Sequence, residues 1–239
     1  MKKKSFKKIL KYYILMSISV LGIFTSCSPE YIPNMVNSPL FSNANEFQAT
    51  ISTGTSIFDA QVAYAVTDNI GIMVNGTYGD ETSDSTDDFH KHAFIEGGLG
   101  YYNKIGAKGR YEIYGGYGIG TVEGLFENNL FDNDLTDARY NRFFIQPGIG
   151  ISTGIFDGGF SPRFVMVQMN PHGMNFENGS YKMFFEPVIT SKIGFKYVKF
   201  VFQVGASLPI SGNDDLGFDN QPFIVNLGIN LNLGRIYDF

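Results

Sequence analysis

From Glu46 to Leu233 apolar residues take turns with small or polar ones. The last such run, PFIVNLGINLNLG, sets Phe223, Val225, Leu227, Ile229, Leu231 and Leu233 against Ile224, Asn226, Gly228, Asn230 and Asn232. A period of two is that of β-strands whose two faces meet different surroundings. Ten such segments are predicted, near residues 46–54, 57–67, 70–79, 92–102, 110–121, 139–153, 160–169, 181–193, 198–208 and 221–233. Four connections are long and polar, 80–91, 122–138, 170–180 and 209–220, and those between them are short. After the first hairpin long and short alternate, so short turns gather at one end and long loops at the other.

That layout predicts an all-β fold, a closed antiparallel up-and-down transmembrane β-barrel of about ten strands, with eight strands as the alternative. An even strand number is expected to bring both termini back to the short-turn side. One face of the alternation carries Ile70, Ile72, Val74, Ile95, Leu99, Ile113, Ile119, Phe143, Ile145, Phe200 and Phe202, and is expected to meet lipid. The other carries Gly71, Asn75, Gly98, Gly116, Gly118, Gly120, Gln146, Gln203 and Ser207, a lining suited to a narrow interior. Tilted strands of about 9–11 residues cross a hydrocarbon layer, and closure pairs the backbone groups that lipid cannot satisfy. Two aromatic girdles are expected, Tyr101, Tyr102, Tyr111, Phe195, Tyr197 and Tyr237 near the short turns and Tyr78, Tyr140, Phe143 and Tyr181 near the long loops.

The amino terminus is different. Lys2, Lys3, Lys4, Lys7, Lys8 and Lys11 precede an apolar run from Tyr12 to Phe24 that is too short to span a bilayer as a helix, the pattern of an export signal. Thr25 and Ser26 then lead into Cys27, the single cysteine. FTSC resembles a bacterial lipobox, with Phe24 where Leu is commoner, and the resemblance implies that Cys27 becomes the lipidated first residue of the mature chain. The expected organisation is a lipoprotein signal at 1–26, a lipidated tether at 27–45 containing Pro29, Pro33 and Pro39, and a barrel at 46–239. Without the six signal lysines the 18 basic residues fall to 12 against 23 acidic ones, net −11, which disfavours nucleic acid as a partner.

Charged residues also fall on the small-residue face: Glu96, Glu112 and Glu186, with Arg110, Arg142, Lys192 and Lys199. A lone charge in a narrow bore costs several kcal/mol, so these are expected to pair and to plug the lumen with polar side chains rather than line an open pore. Arg163 has ambiguous facing. In the loop GDETSDSTDDFHKH, residues Asp87, Asp88, His90 and His92 are weak candidates for a cation contact. Asp and His at a barrel rim also resemble omptin proteases, but the spacing fits no EF-hand and the sequence holds no hydrolase or nucleotide-binding signature. No catalytic residue, resident metal or cofactor is expected.

Residues 31–78, with AYAVTDNIGI as their hairpin, resemble the start of Bacteroidetes-type outer-membrane β-barrel lipoproteins of the OmpX-like and OmpA-like kind. Phe239 resembles the carboxy-terminal signal read by the outer-membrane insertion machinery, although Arg235 and Asp238 interrupt the alternation before it. The resemblance implies a bacterial outer-membrane location, with both termini periplasmic and the long loops extracellular. It implies as partners the outer-membrane lipids, lipopolysaccharide, and the insertion and lipoprotein-processing machinery. The expected role is non-enzymatic, structural or surface-binding with an unknown surface ligand; a small passive pore is the alternative, and an omptin-like hydrolase the least favoured.

Overall fold

The computed structural model describes residues 29–82, 89–128, 132–171, 180–212 and 218–237. Alternation yields eleven strands: β1 (Phe47–Gly54), β2 (Ile57–Ala65), β3 (Ile70–Thr82), β4 (Phe89–Ile105), β5 (Gly109–Asn128), β6 (Asp132–Ser152), β7 (Phe156–Pro171), β8 (Ser180–Gly194), β9 (Val198–Ala206), β10 (Leu208–Gly212) and β11 (Phe223–Leu233). Each strand from β1 to β8 pairs antiparallel with its successor, β9 pairs with β11, and β11 returns to β1. The seam runs from Phe47 opposite Leu233 to Gly54 opposite Asn226, and it closes a ten-stranded barrel. β10 lies outside the ring, continuing past β9 beyond Ser207 along the edge of β8, with Leu208 opposite Phe185 and Gly212 opposite Lys182.

The faces sort as period two requires. Ile72, Val74, Ile95, Leu99, Ile119, Ile145, Phe200 and Leu227 are exposed on the outer surface, and Asn75, Glu96, Gln146, Gln203, Asn226 and Asn230 are buried inside. The outer apolar belt ends abruptly. On β3 it runs from Ile70 to Tyr78, and the next outward rung pairs Asp80 with Lys91, which in turn faces Glu123 on β5. Of the aromatics expected in girdles, Tyr78, Phe143, Tyr181, Tyr101, Tyr111, Phe195 and Tyr197 do point outward, whereas Tyr102 and Tyr140 are buried and point in. Both sit at even positions of strands whose odd positions face out.

The stretch 122–138, predicted as a long loop, is largely strand. β5 and β6 stay paired up to Asn128 opposite Asp132, and β4 already begins at Phe89. Alternation persists there, with Val122 and Ala138 inside and Glu123, Asp137 and Arg139 outside. Charges take over the outer positions, so a pattern keyed to apolar residues breaks off where the strand does not. The wall is consequently tall from β3 to β8 and low across β11, β1 and β2.

The segment expected to be a tether lies inside the barrel. Tyr31, Asn34, Met35, Val36, Asn37, Ser38, Leu40, Phe41 and Ser42 are all buried. Tyr31 is bridged to Asn220, at the long-loop end, through Tyr31 N–H to Asp219 O at 3.0 Å and Gln221 N–H to Tyr31 O at 2.9 Å. At the short-turn end, Asn45 N–H donates to Ala65 O and Ala44 N–H to Asp68 Oδ1. The chain therefore enters at the loop end, descends the bore, reverses, and climbs again as β1. Both termini were expected on the short-turn side. Among the described residues the chain ends on that side at Tyr237 but begins at Pro29 to Tyr31 on the other, because residues 31–42 traverse the barrel once more than the strand count anticipates.

Candidate functional site

The interior is built from that descending segment and the side chains that hold it. A buried segment lacking a ladder partner must find other partners for its N–H and C=O groups. Here the wall supplies amide and charged side chains in place of a neighbouring strand. Gln203 reads both sides of Val36, accepting from its N–H at 2.8 Å and donating to its carbonyl at 2.9 Å. Gln61 donates to Met35 O at 2.6 Å, Gln146 to Asn37 O at 2.7 Å and Gln48 to Pro39 O at 2.6 Å. Pro33 and Pro39 have no N–H to satisfy, which suits them to a path without a ladder.

Two ionic clusters flank the segment. Toward the long-loop end, Asn34 is the hub: its Nδ2 donates to Glu96 Oε1 at 2.9 Å, and its Oδ1 accepts from Arg142 at 2.7 Å and Arg163 at 2.9 Å. Arg142 pairs with Glu96 and Arg163 with Glu186, each at 2.6 Å. Tyr31 Oη donates to Glu186 at 2.9 Å and its ring stacks on Phe184 with centroids 4.8 Å apart. The Arg142 guanidinium lies 4.5 Å over the Phe94 ring.

Toward the short-turn end, Glu112 accepts from Ser38 Oγ and from Leu40 N–H, both at 2.8 Å. Lys192 donates to Ser38 O at 2.9 Å, and Arg110 Nη2 to Ser42 Oγ at 2.9 Å. Arg235 joins Glu46 and Asp157 at 2.6 and 2.9 Å while donating to the carbonyls of Pro39 and Leu40. Lys199 completes the group against Asp157 at 2.8 Å. Leu40 adopts a positive φ of 50°, uncommon for a non-glycine residue, and is held by Glu112 at its N–H and Arg235 at its carbonyl.

All seven charged residues expected on the inner face are buried there, and Glu96 with Arg142 form one of the pairs. The structure adds Glu46, Asp59, Asp157, Arg163 and Arg235, so the described buried residues comprise six carboxylic acids against six Lys and Arg, the two imidazoles of His90 and His92 apart. The seven alone, three acids against four bases, left one charge uncompensated, and that imbalance was the available signal that members were missing. Arg163 escaped because Pro162 blurs the phase of β7. Arg235 escaped because alternation stops at Leu233; Gly234, at φ 79°, turns the chain so that the next side chain enters the bore.

Glycines make room for the segment. A Cβ on Gly71 would lie 2.6 Å from Tyr114 Oη and 2.8 Å from Phe41, and one on Gly150 would lie 2.7 Å from Leu40 Cδ1. Gly118 and Gly120 likewise abut the inward rings of Phe94 and Tyr140.

Of the loop candidates, Asp87 and Asp88 lie outside the described residues, as do Cys27 and Phe239. His90 and His92 lie inside the tall wall on either side of the Asp80–Lys91 rung, opposite Glu81 and Gly79, His90 Nε2 being 3.2 Å from His92 Nδ1. His92 Nε2 is 3.3 Å from Ser56 O. Burial pushes both imidazoles below their ordinary value, His92 to about 4 with a further contribution from His90. No cluster of three or more His, Cys, Asp or Glu suited to a metal occurs among the described residues.

The fold is thus a closed ten-stranded antiparallel barrel whose bore is occupied by its own preceding segment. No protein-family model matches the chain, and no curated protein matches it.

Proposed function

We propose that the chain is a lipid-anchored barrel of a bacterial outer membrane, its bore closed by residues 31–42, with a structural or surface-binding role rather than solute passage. The observation that carries this reading is the inversion of burial: twelve Asp, Glu, Lys and Arg side chains are buried inside and a continuous belt of Ile, Val, Leu, Phe and Tyr faces out. In water such a belt would be a very large exposed apolar patch. In a bilayer it is the ordinary outer surface of a barrel. The nine residues from Ile70 to Tyr78 match the span that a tilted strand needs.

The basic leader, the lipobox resemblance at Cys27 and the barrel agree on export to the envelope. The partners that follow are membrane lipids and lipopolysaccharide around the belt, and the insertion and lipoprotein-processing machinery. A segment clasped along its whole length by charged and amide side chains favours the closed role over a passive pore. Planar-bilayer recording tests this. The mature chain should pass no current, whereas a chain beginning at Asn43 should give discrete conductance steps. Equal, open-pore conductance from both would overturn the closed reading, and a chain monodisperse without detergent would overturn membrane residence.

A further inference from the structure

We infer that the acylated amino terminus is anchored in the leaflet on the long-loop side, so that the lipid sits on the cell surface rather than in the periplasmic leaflet. This rests on the reading of Cys27 as the acylated residue and deepens it by assigning the face. Tyr31 is fixed at the loop end three ways: by its bridge to Asn220, by its hydroxyl on Glu186, and by its ring on Phe184. Phe184 lies three residues along β8 from Tyr181, an outward ring at the loop-side edge of the belt. Glu30 adds a fourth tie, accepting from Asp219 N–H at 2.7 Å.

Cys27 is four residues before Tyr31. Four fully extended residues reach about 14 Å, and the hydrocarbon layer is about 30 Å thick. With the segment seated, acyl chains on Cys27 cannot reach the short-turn leaflet, but they can reach the loop-side one. Reaching the other face would require Tyr31, Asn34 and the residues below them to leave the bore, breaking the ties to Glu186, Glu96, Arg142 and Arg163 together. The descending segment is therefore the device that fixes the face on which the anchor emerges.

The test uses the full-length protein expressed in its envelope. Acylation blocks the Cys27 thiol, so a single new cysteine reports by reaction with a maleimide on a polyethylene glycol too large to cross the outer membrane. Glu30→Cys should label on intact cells to the same extent as Glu81→Cys at the loop end, whereas Lys108→Cys at a short turn should label only after permeabilisation. Pro29→Cys is the second variant, in case loss of the Glu30 tie disturbs folding. Mass analysis of the amino-terminal peptide reports acylation in the same samples. An acylated protein whose position 29 and 30 variants label only after permeabilisation overturns the inference. An unacylated Cys27 overturns the lipoprotein reading, and the inference with it, while the labelling still reports the side of residue 30. Labelling of Lys108→Cys but not Glu81→Cys on intact cells overturns the orientation itself.

Discussion

Asn34→Ala is the sharpest perturbation of the barrel interior, because one short side chain serves three ionised partners. It removes the donor to Glu96 at 2.9 Å and the shared acceptor of Arg142 and Arg163 at 2.7 and 2.9 Å. Hydrogen bonds to charged groups are worth about 1.5–3 kcal/mol each, and a buried partner left unsatisfied carries its full desolvation cost. The Glu96–Arg142 and Arg163–Glu186 pairs survive, so the three losses do not add in full; about 3–5 kcal/mol is expected. Equilibrium unfolding in urea, in lipid vesicles, measures this as a lowered midpoint with the slope retained. Maleimide labelling of Asn37→Cys should accelerate in the same background as the segment leaves more often. A double-mutant cycle of Asn34→Ala with Glu96→Gln should give a coupling of about 0.5–3 kcal/mol, as expected of groups in one network. A loss below about 0.5 kcal/mol, the range of an ordinary surface substitution, would refute the seating of the segment.

Other consequences are as direct. Val74→Arg places a cation at the middle of the outward belt and should cost about 2–4 kcal/mol in vesicle refolding, against about 0–1 for Asp80→Arg at its edge. Gly71→Val drives a Cβ into Tyr114 and Phe41 and should lower stability by about 1–3 kcal/mol, whereas Gly76→Val, whose nearest neighbour would be 3.8 Å away, should be nearly neutral by the same unfolding assay. His92, held at about 4 when folded, should make stability fall as pH drops. The fold favours its neutral form, so the contribution is complete above about 6.5 and is lost between there and about 4, by up to about 3 kcal/mol. The difference between wild type and His92→Gln across that window isolates it from the carboxylates.

The barrel was legible because lipid-suited and interior-suited residues occupy opposite parities over strand after strand, so a period-two count finds both the strands and their faces. Its upper storey was not, because Glu123, Asp137 and Arg139 replace apolar residues outside while the backbone ladder continues unchanged. The inner lining was read correctly as polar and small, but its purpose was hidden. Gln61, Gln146 and Gln203 look like generic pore lining until the segment whose carbonyls they hold is seen between them. That segment carries no period, since each of its residues answers to a different wall residue, and prolines with scattered Asn and Ser look the same in a tether as in a strap. Direction of travel through the bore is a tertiary fact with no local signature at all.

Occupancy of the bore by the stretch that precedes β1 constrains the order of assembly. The seam joins the first and last members of the ring, Phe47 to Leu233, the longest sequence separation in the sheet. Contacts of that kind form late, after loop closure has brought distant residues together. A closed wall offers residues 31–42 no sideways entry, so once the seam has zipped they can be seated only by threading end-on along the bore. A bulky folded module fused ahead of Tyr31 would have to be carried to the far side before closure, whereas one fused behind Tyr237 would not. The stretch ahead of β1 is thus captured by the act of folding, like a cord around which a sleeve is buttoned.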